Sequence, residues 1–249
     1  MKKINLVCLI CVVFMMFCSF MSVSADPIKV AINPDTKPFK YLDENGEFAG
    51  IDAEVIKGIT EAEGLEVEFV VMKFEDILDA VASCEVDAAI SALTKTEARS
   101  EVVAFSEPYV MSLQSVFVRL KNDNFQDISD LLIKTVGAKS GTTGETNGRI
   151  ITEMNNQELK LYPGYKELFE ALEKDEIDAA VSDELLAKEF VDSYADMMTI
   201  GQPLSSEPYA IAVCPSNTEL VTSINHGLSE MRRSGKLDEI VLGNLMPAE

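Results

Sequence analysis

The short segment TKTEAR, which begins at Thr94, places a positive charge where a helix is predicted to start. Thr96 suits the N-cap position, so Arg99 falls in the first turn, where a cation opposes the helix dipole by roughly 0.3–1 kcal/mol. A nearby anion would offset that cost. The anion is either a carboxylate of the chain, such as Glu97 or Glu101 in a surface ion pair, or a bound ligand held by Arg99, the Thr94 hydroxyl and helix-start amides.

A glycine- and threonine-rich loop, KSGTTG at residues 139–144, precedes another predicted helix. This loop contains Thr142 and Thr143 and can present backbone amides to an anion. Any turn from a strand to a helix favours such residues, and the loop lacks the lysine placement of a phosphate-binding loop. Its pairing with Arg99 is what makes it a candidate for the same site.

Residue counts exclude nucleophilic and metal chemistry. His226 is the only histidine, and it lies in a predicted helix, which favours a surface or packing role over catalysis. Of the five cysteines, only Cys84 and Cys214 lie beyond the N-terminal leader, and they do not form a metal site. We therefore predict neither a metal nor a cofactor. In an exported protein the two cysteines either form a disulfide or remain free thiols.

The elements that must position these residues include an internal repeat. Residues 74–91 (FEDILDAVASCEVDAAIS) return without a gap as residues 165–182 (YKELFEALEKDEIDAAVS). Each copy combines a helical spacing of apolar residues with a short apolar run that is typical of a strand buried on both faces. The segment SEPY follows each copy, ending at Tyr109 and Tyr209. The repeat indicates two similar α/β lobes, with chance similarity between two ordinary α/β units as the alternative.

Two lobes imply a cleft between them. In open α/β sheets ligands bind outside the carboxyl ends of the strands, and these ends are predicted at Ser91 and at Ser182 with Asp183. The predicted organisation is lobe 1 from residues 26–108 and 210–249, lobe 2 from residues 114–204, and two hinge strands at 109–113 and 205–209.

The N-terminus, residues 1–25, is predicted to be a signal peptide. Lys2 and Lys3 precede an apolar run, and the sequence Val-Ser-Ala that ends at Ala25 supplies the small residues that signal peptidase reads. The mature chain then starts at Asp26, in a periplasmic or other extracytoplasmic space. A retained membrane anchor is the alternative, since the apolar run is near the lower limit for a spanning helix. Lipid anchoring at Cys18 is disfavoured because no small residue precedes it.

The balance of charges limits the partners. The formal net charge is −21, which argues against binding to nucleic acid or to an anionic membrane. The acidity bears on solubility and does not identify a ligand.

In order along the chain, several motifs resemble the extracytoplasmic solute-binding proteins, family 3, of polar amino-acid ABC transporters. They are PFKY, GIDAEV, FEDILDAV, VDAAISALTKTEAR, FSEPY, VGAKSGTT, IDAAVSD and SEPYAIAV. Ala53 in GIDAEV is smaller than the usual residue, a difference that affects packing. The resemblance implies an α/β, two-lobed periplasmic binding protein type II fold, in which each lobe is a mainly parallel sheet flanked by helices and two hinge strands join the lobes.

The resemblance also implies roles for individual residues. Arg99 resembles the arginine that pairs with a ligand α-carboxylate, and Asp183 resembles the aspartate that accepts from the α-ammonium. Thr94 and Thr143 resemble the supporting donors, and Ser91 and Ala92 lie where a strand-end carbonyl and an adjacent amide usually meet the ligand. Phe74 lies where an aromatic ring commonly covers the ligand side chain. The alternatives for Phe74 and Asp183 are core packing and helix capping. The full set of predicted ligand-binding residues is Asn33, Thr36, Phe74, Ser91, Ala92, Thr94, Arg99, Lys139, Thr142, Thr143 and Asp183.

Three of these residues bear on the ligand side chain. Asn33 stands where relatives that bind lysine, arginine or histidine often carry an acid, and Thr36 stands where a second aromatic ring is common. Lys139 would suit a carbonyl or carboxylate, although it could equally be solvated. The resemblance therefore favours a neutral polar or acidic amino acid.

The implied function is binding of a free amino acid by a monomer that delivers it to a membrane permease with its cytoplasmic ATPase. The runner-up is an enzyme that resembles the cyclohexadienyl or arogenate dehydratases of the same family, with Asp183 as an acid. A ligand-sensing module is a third possibility, which we expect less because no effector segment precedes Glu249.

Overall fold

The computed structural model describes residues 26–122, 125–154, 156–194 and 196–246. The predicted signal peptide, residues 1–25, lies outside these ranges. Across the described ranges, no helix combines the length and the apolar character that crossing a bilayer requires.

The described residues form two five-stranded sheets and a short hairpin. Their strands are β1 (Ile28–Ile32), β2 (Tyr41–Leu42), β3 (Phe48–Ala49), β4 (Val67–Val71), β5 (Ala88–Ala89), β6 (Ala104–Phe105), β7 (Val110–Arg119), β8 (Val136–Lys139), β9 (Lys160–Tyr162), β10 (Ala179–Asp183), β11 (Met197–Tyr209) and β12 (Ala212–Val213). The first sheet has the order β4-β1-β5-β12-β6, and the second has the order β11-β7-β10-β8-β9. The predicted α/β fold is confirmed. In each sheet four of the five strands run in the same direction, and the fifth, β12 in the first and β7 in the second, runs against both of its neighbours, so each sheet is mixed with most of its strands parallel.

Helices cover both faces of each sheet. They are α1 (Ile51–Glu63), α2 (Ile77–Ala82), α3 (Glu97–Ser100), α4 (Thr143–Met154), α5 (Tyr165–Glu173), α6 (Glu184–Tyr194), α7 (Thr218–Ser234) and α8 (Lys236–Leu245). Because side chains alternate along a strand, neighbouring residues of β1 face opposite layers: Val30 packs in one apolar cluster with α1, α7 and α8, and Ala31 packs in another with α2. On the second sheet, α4 covers one face and α5 with α6 covers the other.

The bounds of α1 illustrate how local sequence sets a helix. The helix ends at Glu63 because Gly64 adopts the left-handed conformation (φ 66°) that closes a C-terminus. Asp52 is of a residue type that favours the N-cap, but it does not cap this helix. The N-cap is Gly50, where a Cβ would lie 2.5 Å from the Pro38 carbonyl oxygen, and Asp52 is buried in the first turn with other partners.

The two copies of the repeat form equivalent units. The first consists of a 3-10 turn at Phe74–Asp76, then α2 and β5, and the second consists of α5 and β10. Both β5 and β10 occupy the third position in the order of their sheets. The predicted strand at residues 86–90 is shorter than expected, since only Ala88–Ala89 pair with β1 on one side and β12 on the other.

Two long antiparallel strands, β7 and β11, contain the predicted hinge segments. Val110 pairs with Tyr209 and Gln114 pairs with Ser205, so residues 109–113 and 205–209 lie side by side. The chain does not return to the first sheet in one continuous strand, because β11 ends at Tyr209 and a separate strand, β12, begins at Ala212.

Two cysteines of the described residues are joined. Cys84, just after α2, and Cys214, just after β12, form a disulfide with a Cα–Cα distance of 5.1 Å. Of the two alternatives left open by the sequence, the structure therefore has the disulfide. His226 lies exposed on α7, with Nδ1 2.7 Å from Glu63 Oε1, which fits a surface role.

Candidate functional site

Arg99 is positioned by the helix start that the sequence indicated. Thr96 is the N-cap of α3, and its side chain accepts from the Arg99 amide at 3.1 Å. Glu97 and Glu101 are exposed and form no ion pair with Arg99. The guanidinium instead donates to the Thr94 carbonyl at 2.8 Å and to the Gly141 carbonyl at 3.0 Å.

These two carbonyls belong to loops that follow strands of different sheets. Thr94 follows β5 of the first sheet, and Gly141 follows β8 of the second. Arg99 therefore spans the cleft between the two sheets, and the hydrogen bonds of its guanidinium to the described residues go to these carbonyl oxygens. Thr94 and Arg99, together with Thr143 and Glu207, line an open groove of about 720 Å³.

Two buried carboxylates lie beside Arg99. Asp183 ends β10 and is 3% exposed, and Glu207 on β11 is 2% exposed. Glu207 accepts from the hydroxyls of Thr143 (2.8 Å) and Ser205 (2.6 Å). Among the described residues, neither Asp183 Oδ1 nor the Tyr209 hydroxyl forms a hydrogen bond of ordinary geometry, although Tyr209 lies near enough to lower the pKa of Asp183. A buried carboxyl oxygen without such a bond is costly.

Burial and nearby charges shift the pKa values of Asp183 and Arg99. Burial, followed by the negative charge of Glu207, raises the pKa of Asp183 to about 8. Burial lowers the pKa of Arg99, while Glu207 and Asp183 oppose that change. One cation and two carboxylates leave the cluster short of positive charge, so an ammonium group would stabilise ionised Asp183.

A left-handed turn follows β5. Ala92 has φ 48°, and its amide donates to Asp52 Oδ2 at 2.7 Å, while the Tyr109 hydroxyl donates to Asp52 Oδ1 at 2.6 Å. This corrects the expectation that the Ala92 amide faces a ligand, because the turn directs it into the core. Ser91 is fully buried, and its hydroxyl accepts from the Asn33 amide.

A second charged cluster consists of Asp35, Lys40 and Lys139, and we call it the Asp35 cluster. Lys40 Nζ and Lys139 Nζ approach Asp35 at 2.5 and 2.6 Å, and both lysines are 1% exposed. Burial alone would raise the pKa of Asp35, but the charges of Lys40 and Lys139 outweigh it and lower that pKa to about 2. Lys139 is thus buried and paired rather than solvated, and the cluster carries two ammonium groups against one carboxylate.

Predicted residues Asn33 and Thr36 both contact the Asp35 cluster. The Thr36 hydroxyl donates to Asp35 Oδ1 at 2.7 Å. The side-chain amide of Asn33, in the orientation that satisfies its neighbours, donates to Asp35 Oδ2 at 2.7 Å. Neither residue presents an aromatic ring or an acid of its own to the cleft.

The remaining predicted residues divide between cleft and scaffold. Phe74 lies with its ring centroid 5.0 Å from Lys139 Nζ. Thr142 is buried, donates to the Lys139 carbonyl at 2.7 Å and accepts from the Glu145 amide. Its hydroxyl therefore holds the loop and the start of α4.

Sequence reasoning missed several charged or aromatic residues of the cleft: Asp35, Lys40, Glu207 and Tyr165. For Tyr165 a signal existed. It begins the second repeat copy, as Phe74 begins the first, and both rings face Lys139 Nζ, at 4.6 and 5.0 Å.

Comparison with known proteins agrees with the fold and the motifs. Residues 28–243 match the family described as bacterial extracellular solute-binding proteins, family 3. The chain belongs to this family. The resemblance stated from the sequence motifs is confirmed.

Similar solute-binding proteins include named amino-acid binders. The chain is 27% identical, over 86% of its length and 83% of the relative's, to a probable histidine-binding protein of Campylobacter jejuni. Its structure is similar to that of an ancestral arginine-binding protein bound to arginine, with 33% identity, a TM-score of 0.82 and coverage of 89% and 99% of the two chains. It is also similar to an ancestral amino acid-binding protein that is a precursor of cyclohexadienyl dehydratase, with 26% identity, a TM-score of 0.80 and coverage of 88% and 96%.

Proposed function

We propose that this solute-binding protein is the extracytoplasmic component of an ABC transporter that binds a free amino acid, neutral polar or acidic, and delivers it to the membrane permease. The observation that carries the proposal is the unpartnered, buried Asp183 Oδ1 beside the Arg99 guanidinium. A buried carboxyl group with one unpartnered oxygen, next to a buried cation, suits the ammonium and carboxylate of a free amino acid.

In this proposal the α-carboxylate is bound by Arg99. Its guanidinium has five donors, of which the contacts to Thr94 and Gly141 use two. The half-buried Thr143 hydroxyl lies at the same place, but its one proton goes to Glu207, so it would have to leave that carboxylate to donate to the ligand. The α-ammonium would lie at Asp183, where it replaces the missing partner of Oδ1.

The Asp35 cluster supports the choice of side chain. Lys40 and Lys139 bring two positive charges, and Asp35 cancels one of them. The remaining charge favours a carbonyl or carboxylate and repels a cation. The names of the relatives refer to histidine and arginine, so the excess positive charge is what supports a different ligand class here.

The enzyme alternative has one specific observation in its favour. With a pKa raised to about 8, Asp183 is largely protonated at neutral pH and could donate a proton. Incubation with prephenate or arogenate separates the two functions, since formation of phenylpyruvate or phenylalanine would establish the dehydratase. We expect neither product.

Calorimetric titration with each free amino acid tests the proposal. The unmodified chain should bind at least one neutral polar or acidic amino acid, and binding of none would overturn the proposal. Arg99→Ala should weaken that binding well over tenfold, because losing one partner of a desolvated charge pair costs about 2–5 kcal/mol. The matched control is Arg149→Ala, which removes an exposed arginine that lines the same groove and pairs with Glu145. Near-native affinity in Arg99→Ala would refute the assigned role.

A further inference from the structure

The ammonium group of Lys139 lies among two aromatic rings and a carboxylate, which are groups that bind cations. Its Nζ is 5.0 Å from the Phe74 ring centroid, 4.6 Å from the Tyr165 ring centroid and 2.6 Å from Asp35 Oδ2. Both ring distances are within the range of about 6 Å at which an aromatic face attracts a cation. We call Phe74, Tyr165 and Asp35 the cation box.

The cation box is built by the fold and not by Lys139. Phe74 and Tyr165 are the first residues of the two repeat copies, one before α2 and the other at the start of α5. The repeat therefore brings two rings to the cleft from opposite sheets. Asp35 comes from the loop after β1 and keeps Lys40 as a second partner at 2.5 Å. Shortening Lys139 leaves all three members of the box in place.

The box adjoins the place proposed for the amino acid. Gly141 accepts from Arg99 through its carbonyl oxygen, and a Cβ on Gly141 would lie 3.7 Å from Phe74 Cδ1. Burial raises the pKa of Tyr165, and the negative charges of Asp183 and Asp35 raise it further. Tyr165 therefore lies close to both carboxyl groups. A ligand held by Arg99 and Asp183 thus has the box within reach of its side chain.

We propose that Lys139 is a built-in occupant of a cation-binding site, and that by filling the cation box it excludes the side chains of lysine and arginine from the cleft. The cation box can still bind an ammonium or guanidinium group, and the Lys139 side chain alone occupies the position where that group would lie. The part of the proposal that concerns amino acids rests on the proposed function, whereas the cation box itself does not.

Lys139→Ala tests the box with n-butylammonium, which has the length and charge of the missing side chain. The amine should raise the unfolding temperature of this variant by about 3–6 °C at a tenfold excess over its dissociation constant. The unmodified chain should not respond. Adding Phe74→Ala to Lys139→Ala should remove the response.

The matched control is Lys57→Ala. Lys57 Nζ also donates to an oxygen, the Phe48 carbonyl at 2.9 Å, and lies 5.9 Å from the Phe69 ring, but it is exposed on α1. This variant should not respond to the amine. If Lys139→Ala is unfolded in the absence of the amine, the same experiment still tests the box. In that case n-butylammonium must restore the unfolding transition. Absence of any response in Lys139→Ala overturns the proposal.

Titration with L-lysine and L-arginine tests the exclusion. Lys139→Ala should bind at least one of them at least tenfold more tightly than the unmodified chain does. Tight binding of either by the unmodified chain overturns the proposal and leaves amino-acid binding intact. A response to n-butylammonium without binding of any amino acid by either chain supports the cation box and refutes the proposed function.

Discussion

Asp183 links the ionisation of the cleft to its proposed ligand. Burial and the charge of Glu207 hold its pKa at about 8, against an ordinary value of 3.8. Tyr209 and, after it, Arg99 lower this pKa, and Tyr165 is a further titratable group that interacts with Asp183. A bound ammonium would favour the ionised form, so binding should release a proton.

Affinity for the amino acid is therefore expected to rise between about pH 6 and 8, by up to about tenfold per unit. Calorimetric titrations at several pH values, each in two buffers of different ionisation enthalpy, measure both the affinity and the released proton. Asp183→Asn keeps the shape of the side chain and should remove the pH dependence. An affinity of the unmodified chain that is flat over this range would contradict the role of Asp183.

The same group affects the stability of the ligand-free protein. Because its folded pKa lies above the unfolded value, the contribution to stability is complete below pH 3.8 and is lost as pH rises towards 8. The free energy of unfolding of Asp183→Asn should be less dependent on pH across this interval.

Residues were predictable from the sequence where their role has a local cause. Arg99 was found because its charge conflicts with a helix start that Thr96 already marked. Asp35 was missed because its partner Lys139 is 104 residues away, and Glu207 was missed because Thr143 is 64 residues away. No local pattern distinguishes a carboxylate that will be buried by such contacts from one that stays in a polar loop.

At the scale of elements, the start of α4 depends on close packing against β10. A Cβ on Gly144 would lie 2.8 Å from the Val181 carbonyl oxygen, so a side chain there must displace the helix. The preceding residue, Thr143, donates to Glu207 in the cleft. The geometry of the groove is thus coupled to a glycine that touches no ligand.

Gly144→Ala should destabilise the protein by about 1–3 kcal/mol and weaken amino-acid binding, because overpacking shifts the helix start. The matched control is Gly243→Ala in α8, where a Cβ would meet nothing within 4 Å. That change should stabilise the protein by about 0.5–1 kcal/mol, as expected for removing a glycine from a helix. Chemical denaturation and calorimetric titration of both variants provide the measurements, and equal effects would refute the packing argument.

Element boundaries were predictable where they depend on capping and not where they depend on pairing. The end of α1 at Gly64 and the break between α7 and α8 at Gly235 follow from left-handed glycines. The length of β5 does not follow from its apolar run, because its two neighbours pair with only two of its residues. The length of β11 likewise depends on β7, which is distant in sequence.

At the scale of the whole molecule, three polar contacts join the segments around the first sheet to those around the second. Arg99 donates to the Gly141 carbonyl at 3.0 Å, Lys139 pairs with Asp35 at 2.6 Å, and the Lys37 amide donates to Glu189 Oε2 at 3.1 Å. In the proposed organisation, with hinge strands at 109–113 and 205–209, opening of the cleft must break all three. These contacts need no ligand and favour the closed form by themselves, so a ligand adds to closure only if it binds both sides of the cleft.

An amino acid bound by Arg99 on one side and Asp183 on the other meets that condition, since a ligand shifts an equilibrium only by its differential affinity for the two states. Moving the open and closed populations from 1:99 to 99:1 needs about 5.5 kcal/mol, which one charge pair on each side could supply. Small-angle scattering should therefore show a smaller radius of gyration when saturating ligand is added to the unmodified chain.

Asp183→Ala should still bind the amino acid weakly through Arg99, but ligand should no longer compact it, because the second side of the cleft has lost its partner. Arg149→Ala, which keeps both charge pairs, should compact as the unmodified chain does. Full compaction of Asp183→Ala would mean that the ligand bridges the sheets without this carboxylate. An unchanged radius of gyration in the unmodified chain would refute the hinge itself, since two paired strands that do not bend cannot admit a ligand to a cleft whose charged groups are this deeply buried.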